Sequence, residues 1–360
     1  MPRRVRIRSL QPDGTLTRAE FARRFRRHFE DPAFEAVEPE LQRVLEQAWE
    51  GYREYRKSPR TRRAGRAFAE PDQPLPVEWL AARAAIARAE RRQTSRASPS
   101  RILLISGSAR SSRSCPGETG KTWRLAKLAE QLIRRTRRFE VDFLDLSLVT
   151  SEYGRRIHPC KACVSTAMPL CHWPCSCYPN HAMGQTGDWM AELYPRWAAA
   201  HGVMILCPVN WYQAPSVLKL MMDRLVCADG GNPDPTTTHG KDPRRAKELE
   251  LRGWSYPKHL AGRVFSVVVH GDAAGEGTLR RSLVDWLTDM QLVPAGPQAQ
   301  LDRYIGYFGP YATSHDDLDA DRDVHEEVRN AARELVNAVK RMRAGKLPRT
   351  DKGLKRTREK

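Results

Sequence analysis

The chain has 360 residues, 40% of them hydrophobic and 29% charged, and a formal net charge of +18. That length favours one large or two modest domains, and no apolar run approaches the ~18–20 residues that would span a bilayer. The opening MPRRVRIRSLQPDG has charges with no apolar stretch behind them, so no signal peptide is expected, and a soluble cytoplasmic protein is.

The first hundred residues hold 22 Lys/Arg against 14 Asp/Glu, and residues 331–360 hold 11 against 3. The middle is nearly balanced, so the basicity sits at the two ends. This pattern points to electrostatic attachment by the termini and not to a basic catalytic groove. The basic tail from Lys346 to Lys360 lacks interleaved aromatics, so it reads as solvated and disordered, with no nucleic-acid partner expected.

Residues 1–98 read as a polar, helical, basic extension. Thr17-Arg-Ala-Glu20 has the form of a capping box, with Leu16 and Phe21 as a hydrophobic staple, and predicts a helix to about Arg27. A second helix is expected from Glu38 to Tyr55, with Leu41, Val44, Leu45, Ala48, Trp49 and Tyr52 on one face. Residues 58–76, rich in Arg, Gly and Pro, should be irregular, and a helix over 77–92 leads to a linker.

At residue 101 the texture changes. Ile102–Ile105, Phe139–Leu146, Val203–Cys207 and Arg263–Val269 read as four apolar strands, with a weak fifth near 292–295. Helices are expected near 121–135, 188–200, 214–226, 276–291 and 323–342. Alternating strands and helices imply a parallel sheet covered on both faces. Ligands of such sheets bind beyond the carboxyl ends of the strands, where strand order reverses. The loops after strands one, three and four are therefore the places to look for chemistry.

The first loop runs from Gly107 to Thr122 and combines hydroxyls, glycines, Arg110 and Lys121 ahead of a helix. A helix N-terminus with such neighbours favours a phosphate. Gly120-Lys121-Thr122 mimics the end of a P-loop, but Cys115 stands where that motif needs glycine. The bland alternative is a Ser-rich surface turn. The second loop, Pro208-Val-Asn210-Trp211-Tyr212-Gln213, could frame a planar ring, or its aromatics could pack on a neighbouring subunit. The third, His270-Gly271-Asp272-Ala-Ala-Gly275, allows close backbone approach to a ligand.

Five cysteines fall between 160 and 177. Without a secretory signal, disulfides are the lesser expectation. Thiolates this close suit a [4Fe–4S] cluster or zinc, or a metal-free loop whose thiols are structural or redox-active. Cys160, Cys163, Cys171 and Cys175 are expected to act as a group. Cys177 is left out, since one residue separates it from Cys175.

Together the three loops resemble those of the flavodoxin-like NADPH-dependent FMN reductase and iron–sulfur flavoprotein families. The resemblance rests on Ile105-Ser-Gly107-Ser108-Ala-Arg110, Gly120-Lys121-Thr122, Gly187-Asp188-Trp-Met190, Pro208-Val-Asn-Trp-Tyr212 with Ala-Pro-Ser216, and Gly271-Asp272-Ala-Ala-Gly275. It implies a doubly wound, five-stranded parallel sheet in a 99–343 FMN-binding domain, followed by a basic tail over 344–360. By position, Ser108, Arg110, Lys121 and Thr122 would grip the FMN phosphate. Pro208, Val209, Asn210, Trp211 and Tyr212, with Gly271 and Asp272, would line the isoalloxazine ring. The iron–sulfur flavoproteins carry cluster cysteines after the second strand, though in a tighter spacing than this chain has.

The implied activity is electron transfer from NAD(P)H through FMN to a quinone, a flavin or another acceptor, in a homo-oligomer. An electron carrier without its own NAD(P)H site is the runner-up. A partner- or nucleic-acid-binding protein with a structural flavodoxin-like fold is the alternative from another class. No acid–base dyad or Ser-His-Asp set is apparent among the residues, as befits chemistry carried by a cofactor.

Overall fold

The computed structural model describes residues 5–8, 14–114 and 117–346. Cys115 and the tail beyond Lys346 lie outside the described residues. The chain divides into two units that are not successive stretches. One gathers the residues up to 85 with 154–192 and 223–257; the other holds 86–153, 193–222 and 258 onward. The segments 154–192 and 223–257, counted within the 99–343 domain by the sequence reading, thus group with the N-terminal helices.

The second unit is built on a parallel sheet. Its strands are β1 (Ser100–Ser106), β2 (Phe139–Asp145), β3 (Gly202–Pro208), β4 (Val264–Gly271), β5 (Val293–Pro294) and β6 (Gln300–Tyr304). The order is β2-β1-β3-β4, with β5 pairing the start of β4 and β6 pairing its end. This is the flavodoxin-like order. The expected five strands become six because the last position is split: β5 stops at Pro294, the turn Pro297–Ala299 intervenes, and β6 resumes the pairing.

β1, β3 and β4 are buried along nearly their whole length, which is why they read as apolar runs and not as alternations. Ile102 and Leu104 of β1 pack in one core with Met204 and Leu206 of β3 and Val264 and Val268 of β4. Helix α4 (Lys121–Arg134) adds Leu125 and Ile133, and α9 (Arg322–Arg343) adds Val328, Leu335 and Val339. Asp321 caps α9 by accepting from the Val324 N–H at 3.0 Å.

Register fixes where the loops leave. Ser106 of β1 pairs with Leu206 of β3, and Leu206 pairs with Val268 of β4. The three strands therefore end on one edge. Since β2 lies on one side of β1 and β3 on the other, the chain turns in opposite directions after β1 and after β3, and a crevice opens there.

The first unit is helical and turn-rich, with helices α1 (Arg18–Arg26), α2 (Glu38–Arg53), the start of α3 (Val77–Thr94) and α7 (Pro243–Leu251). Thr17 caps α1, its Oγ1 accepting from Glu20 N at 3.2 Å. The reciprocal half of the capping box is not made, since the Glu20 carboxylate bonds Arg23 and Arg24 instead. Of the expected α2 face, Leu41 and Leu45 are buried while Val44 is exposed. Residues 58–76, expected to be irregular, contain a short antiparallel ladder of Thr61–Arg63 on Pro74–Pro76. Phe68, Leu75, Trp79 and Leu80 form a small core beside it.

Two buried polar arrangements organise the rest of this unit. Arg224 is 1% and Asp188 7% exposed, and they meet in a fork of bonds at 2.9 and 2.7 Å. His172, also buried, bonds Ser176 through Nδ1 at 2.5 Å and Thr238 through Nε2 at 3.0 Å. Among the described residues no helix is long and apolar enough to cross a membrane.

Candidate active site

The first loop begins at Gly107, where an added Cβ would come within 2.9 Å of the Cys207 Cβ. Only glycine lets the backbone turn there against β3. Ser108 is buried and its Oγ accepts from Arg110 N at 3.1 Å. Thr150 Oγ1 donates to the Ala109 carbonyl at 2.7 Å and so pins the loop from outside. The Arg110 guanidinium reaches the Glu118 carboxylate at 3.1 Å across the loop.

Helix α4 starts from Gly120, which has no side chain to cap it. Its first N–H groups thus point into the loop with no side-chain acceptor from the cap, the arrangement that suits an anion. Burial lowers the Lys121 pKa, against the opposing pull of Asp272, Asp317 and Glu118. Thr122 is 2% exposed, and its Oγ1 lies 2.8 Å from His270 Nε2 at the end of β4. This bond ties the first loop to the third. Burial, helped by Lys121, drives the His270 pKa down to about 3, so the ring is neutral at ordinary pH.

The second loop leaves β3 at Pro208. Val209 N donates to the His270 carbonyl at 2.8 Å. Asn210 and Gln213 exchange backbone bonds of 2.9 and 3.0 Å around a tight turn. Its two central residues, Trp211 and Tyr212, have φ of 47° and 63°. Aromatic residues rarely hold that left-handed region, at an expense of order 1–3 kcal/mol each, and such strain gathers at functional sites. Trp211 is 93% exposed, so packing within the chain does not explain it.

The third loop follows Gly271 and carries Asp272, half-buried. Gly275, at φ 125°, precedes helix α8 (Glu276–Asp289). A Cβ there would lie 3.3 Å from Tyr212 Cα and from Val209 Cγ1, so the second and third loops pack backbone to backbone. Every cofactor residue expected from the sequence, from Ser108 to Asp272, therefore lies on one edge of one sheet.

Sequence reasoning missed other groups at this edge. His270 was read only as part of a loop, although it bonds Thr122. Glu276 Oε1 is buried with no hydrogen-bond partner, and it lies 3.1 Å from where a Gly271 Cβ would stand. Beyond β6, Tyr304 and Phe308 rings approach to 4.9 Å, with Phe308 almost fully exposed. The aromatic run Tyr304-Ile-Gly-Tyr307-Phe308 was the available signal.

The cysteine loop brings its thiols together in pairs. From the sequence, Cys160, Cys163, Cys171 and Cys175 are expected to act as a group. Among the described residues no three His, Cys, Asp or Glu side chains are arranged to hold a metal ion. Cys163 instead pairs with Cys177, the cysteine left out, at 3.4 Å between sulfurs. Cys171 bonds Cys227, which with burial raises its pKa far above the ordinary thiol range. The Cys175 thiol is likewise raised by its bond to Cys177 and by burial, and the Cys160 thiol by burial. Chain spacing alone does not say which thiols a turn-rich segment folds together.

Residues 100–304 match the family model of the NADPH-dependent FMN reductases. No curated protein matches the chain. Among solved structures, RosB with a bound riboflavin-phosphate intermediate is 13% identical, covering 69% of this chain and 82% of its own, with a TM-score of 0.48. An NADH:FMN oxidoreductase in its apo form is 14% identical over 68% of this chain and 89% of its own, with a TM-score of 0.34. General stress protein 14 of Treponema denticola in complex with FMN is 12% identical over 68% and 99%, with a TM-score of 0.33. With more than half of its length matched by that family model, the chain belongs to the NADPH-dependent FMN reductase family of flavin-dependent oxidoreductases.

Proposed function

We propose that the chain binds FMN at the carboxyl edge of β1, β3 and β4 and uses it to pass electrons from NAD(P)H to a quinone, a flavin or another acceptor. The observation that carries this reading is the convergence of three strand-end loops, locked by the Thr122–His270 bond and by the Gly275–Tyr212 contact. The residues present fit the group. Gly107 and Gly120 leave room beside uncapped helix N–H groups, and Glu276 Oε1 is an orphaned buried acceptor at the ring end.

In this reading Ser108, Arg110, Lys121 and Thr122 hold the phosphate. A phosphate dianion would offset the burial that lowers the Lys121 pKa, and would compete with Glu118 for Arg110. Pro208 to Tyr212, Gly271 and Asp272 face the ring, and the exposed Trp211 and Tyr212 side chains exclude water from one of its sides. When bound, FMN supplies the two-electron chemistry; the protein's share is to place the ring and bias its charge states. Neutral His270 serves as a fixed dipole holding Thr122 in place.

The test is anaerobic addition of NADPH or NADH to the purified yellow protein. Bleaching of the flavin absorbance within a turnover supports the reductase reading. Protein that holds FMN but is bleached only by dithionite is an electron carrier without its own nicotinamide site. Colourless protein that takes up no added FMN overturns both.

A further inference from the structure

The first unit contains a cavity of ≈ 370 Å³ that the flavin chemistry does not use. It is lined by Lys57, Lys161, Lys241, Cys163 and Cys177, together with neutral and apolar groups, and among the described residues no Asp or Glu lines it. Its volume lies in the range of small-molecule sites. The three lysines make it electropositive, which selects for anionic ligands.

The chemistry at its wall is specific. Lys241 Nζ lies 3.1 Å from Cys163 Sγ and 2.7 Å from Cys177 Sγ. The two sulfurs, 3.4 Å apart, are already about 1.4 Å from covalent bonding distance. Both cysteines line the cavity, Cys163 half-buried and Cys177 the more buried of the two. Its bond from Cys177, followed by the Lys241 charge, outweighs burial and brings the Cys163 pKa down to about 6. Burial works against charge on Lys241, but the neighbouring sulfurs of Cys177, Cys175 and Cys163 outweigh it and raise the ammonium's pKa. Burial, with Lys241 and Lys57 nearby, holds His172 neutral. Its ring is occupied by Ser176 and Thr238, so it does not take the proton.

We propose that Cys163 and Cys177 are a redox-active dithiol that exchanges with small anionic disulfides in this cavity. The Cys163 thiolate attacks one sulfur of R–S–S–R; the new sulfur–sulfur bond forms as the old one breaks and R–S⁻ leaves. Cys177 gives its proton to that departing thiolate. Its own sulfur then attacks Cys163 Sγ, forming the intramolecular disulfide and releasing the second R–S⁻, which is protonated by solvent. The pair loses two electrons and the oxidant becomes two thiols. Lys241 stays protonated throughout and stabilises each thiolate.

The experiment uses the full chain, checked for bound iron and zinc, with oxidised glutathione as the anionic probe and 2-hydroxyethyl disulfide as the neutral one. Thiol counting and peptide mass mapping follow the reaction. The wild type should lose two of its eight thiols and yield a Cys163–Cys177 disulfide that dithiothreitol reverses. Cys177→Ser should stop at a mixed disulfide on Cys163, and Cys163→Ser should form neither product. Lys241→Met, with circular dichroism unchanged, should slow the first step by about tenfold and remove the preference for the anionic probe. A disulfide between other cysteines, equal reaction of all exposed thiols, full reactivity of Cys163→Ser, or a stoichiometric metal that shields both sulfurs would each overturn the proposal.

Discussion

The strand-edge site and the thiol cavity hold their ligand-facing groups by different means. At the sheet, parallel register brings Ser106, Leu206 and Val268 into one row, so the loops that follow are delivered together by the backbone. Their polar contacts come from N–H groups, hydroxyls and glycines. In the cavity, Lys57, the Cys163–Cys177 segment and Lys241 come from separate stretches beside the short strand Pro74–Pro76. Side-chain bonds organise the unit that contains it: the Arg224–Asp188 fork, and His172 between Ser176 and Thr238. A site built on backbone register should tolerate loss of one side chain better than one built on buried polar pairs.

The sharpest way to break this comparison is Asp188→Ala. It leaves the buried Arg224 charge without its carboxylate, and removal of one partner from a buried pair should destabilise the protein by about 3–5 kcal/mol. Urea unfolding reads this directly. A change below ~1 kcal/mol would mean that the fork does not hold the first unit together.

At the sheet edge, Arg110→Ala should weaken FMN binding by about 1.5–3 kcal/mol, the range for bonds to charged groups, with little change in unfolding. Fluorescence titration checks it, and wild-type affinity would remove Arg110 from the phosphate set. Thr122→Val should cost about 1–3 kcal/mol of stability by leaving His270 Nε2 unsatisfied in the interior.

His270 also gives a pH signature. Its folded pKa of about 3 lies below the ordinary ~6.5. The unfolded chain therefore binds the proton first, so this contribution is full above about pH 6.5 and is lost as pH falls toward 3. His270→Gln should flatten that part of the stability profile, and an unchanged slope would assign it to other groups. The smallest expected effect is Glu118→Gln, which frees Arg110 from a surface pair and should tighten FMN by less than about 1 kcal/mol. Weaker binding in that variant would mean that Glu118 orders the loop for its ligand.

What could be read from the sequence follows from the same contrast. β1, β3 and β4 were legible because strands buried on both faces are continuous apolar runs, and the glycines and hydroxyls after them mark the loops. β6, Gln300-Leu-Asp-Arg-Tyr304, was missed because a short strand with Asp302 and Arg303 half- or fully exposed leaves only a weak pattern. The Thr122–His270 bond links residues far apart in sequence, and no local signal announces it. The pairing of Cys163 with Cys177 rather than with Cys160 depends on turns that place sulfurs in space, including Ala162 at φ 49° just before Cys163. Spacing rules describe metal knuckles, not arbitrary turns. The interleaving of the two units was hidden for a similar reason, since segments 154–192 and 223–257 carry no composition break at their ends.

The divided last position of the sheet has a consequence for strand addition at that margin. A sheet margin normally offers a row of unpaired amide and carbonyl groups on which another chain can template itself. Here that margin is cut by Pro294 and the Pro297–Ala299 turn, and its longer piece is only five residues and bears Arg303. A second copy attempting to add a strand would find two short, offset footholds separated by a proline. The interruption thus leaves this margin of the sheet only short footholds for an added strand, while the carboxyl edge stays open.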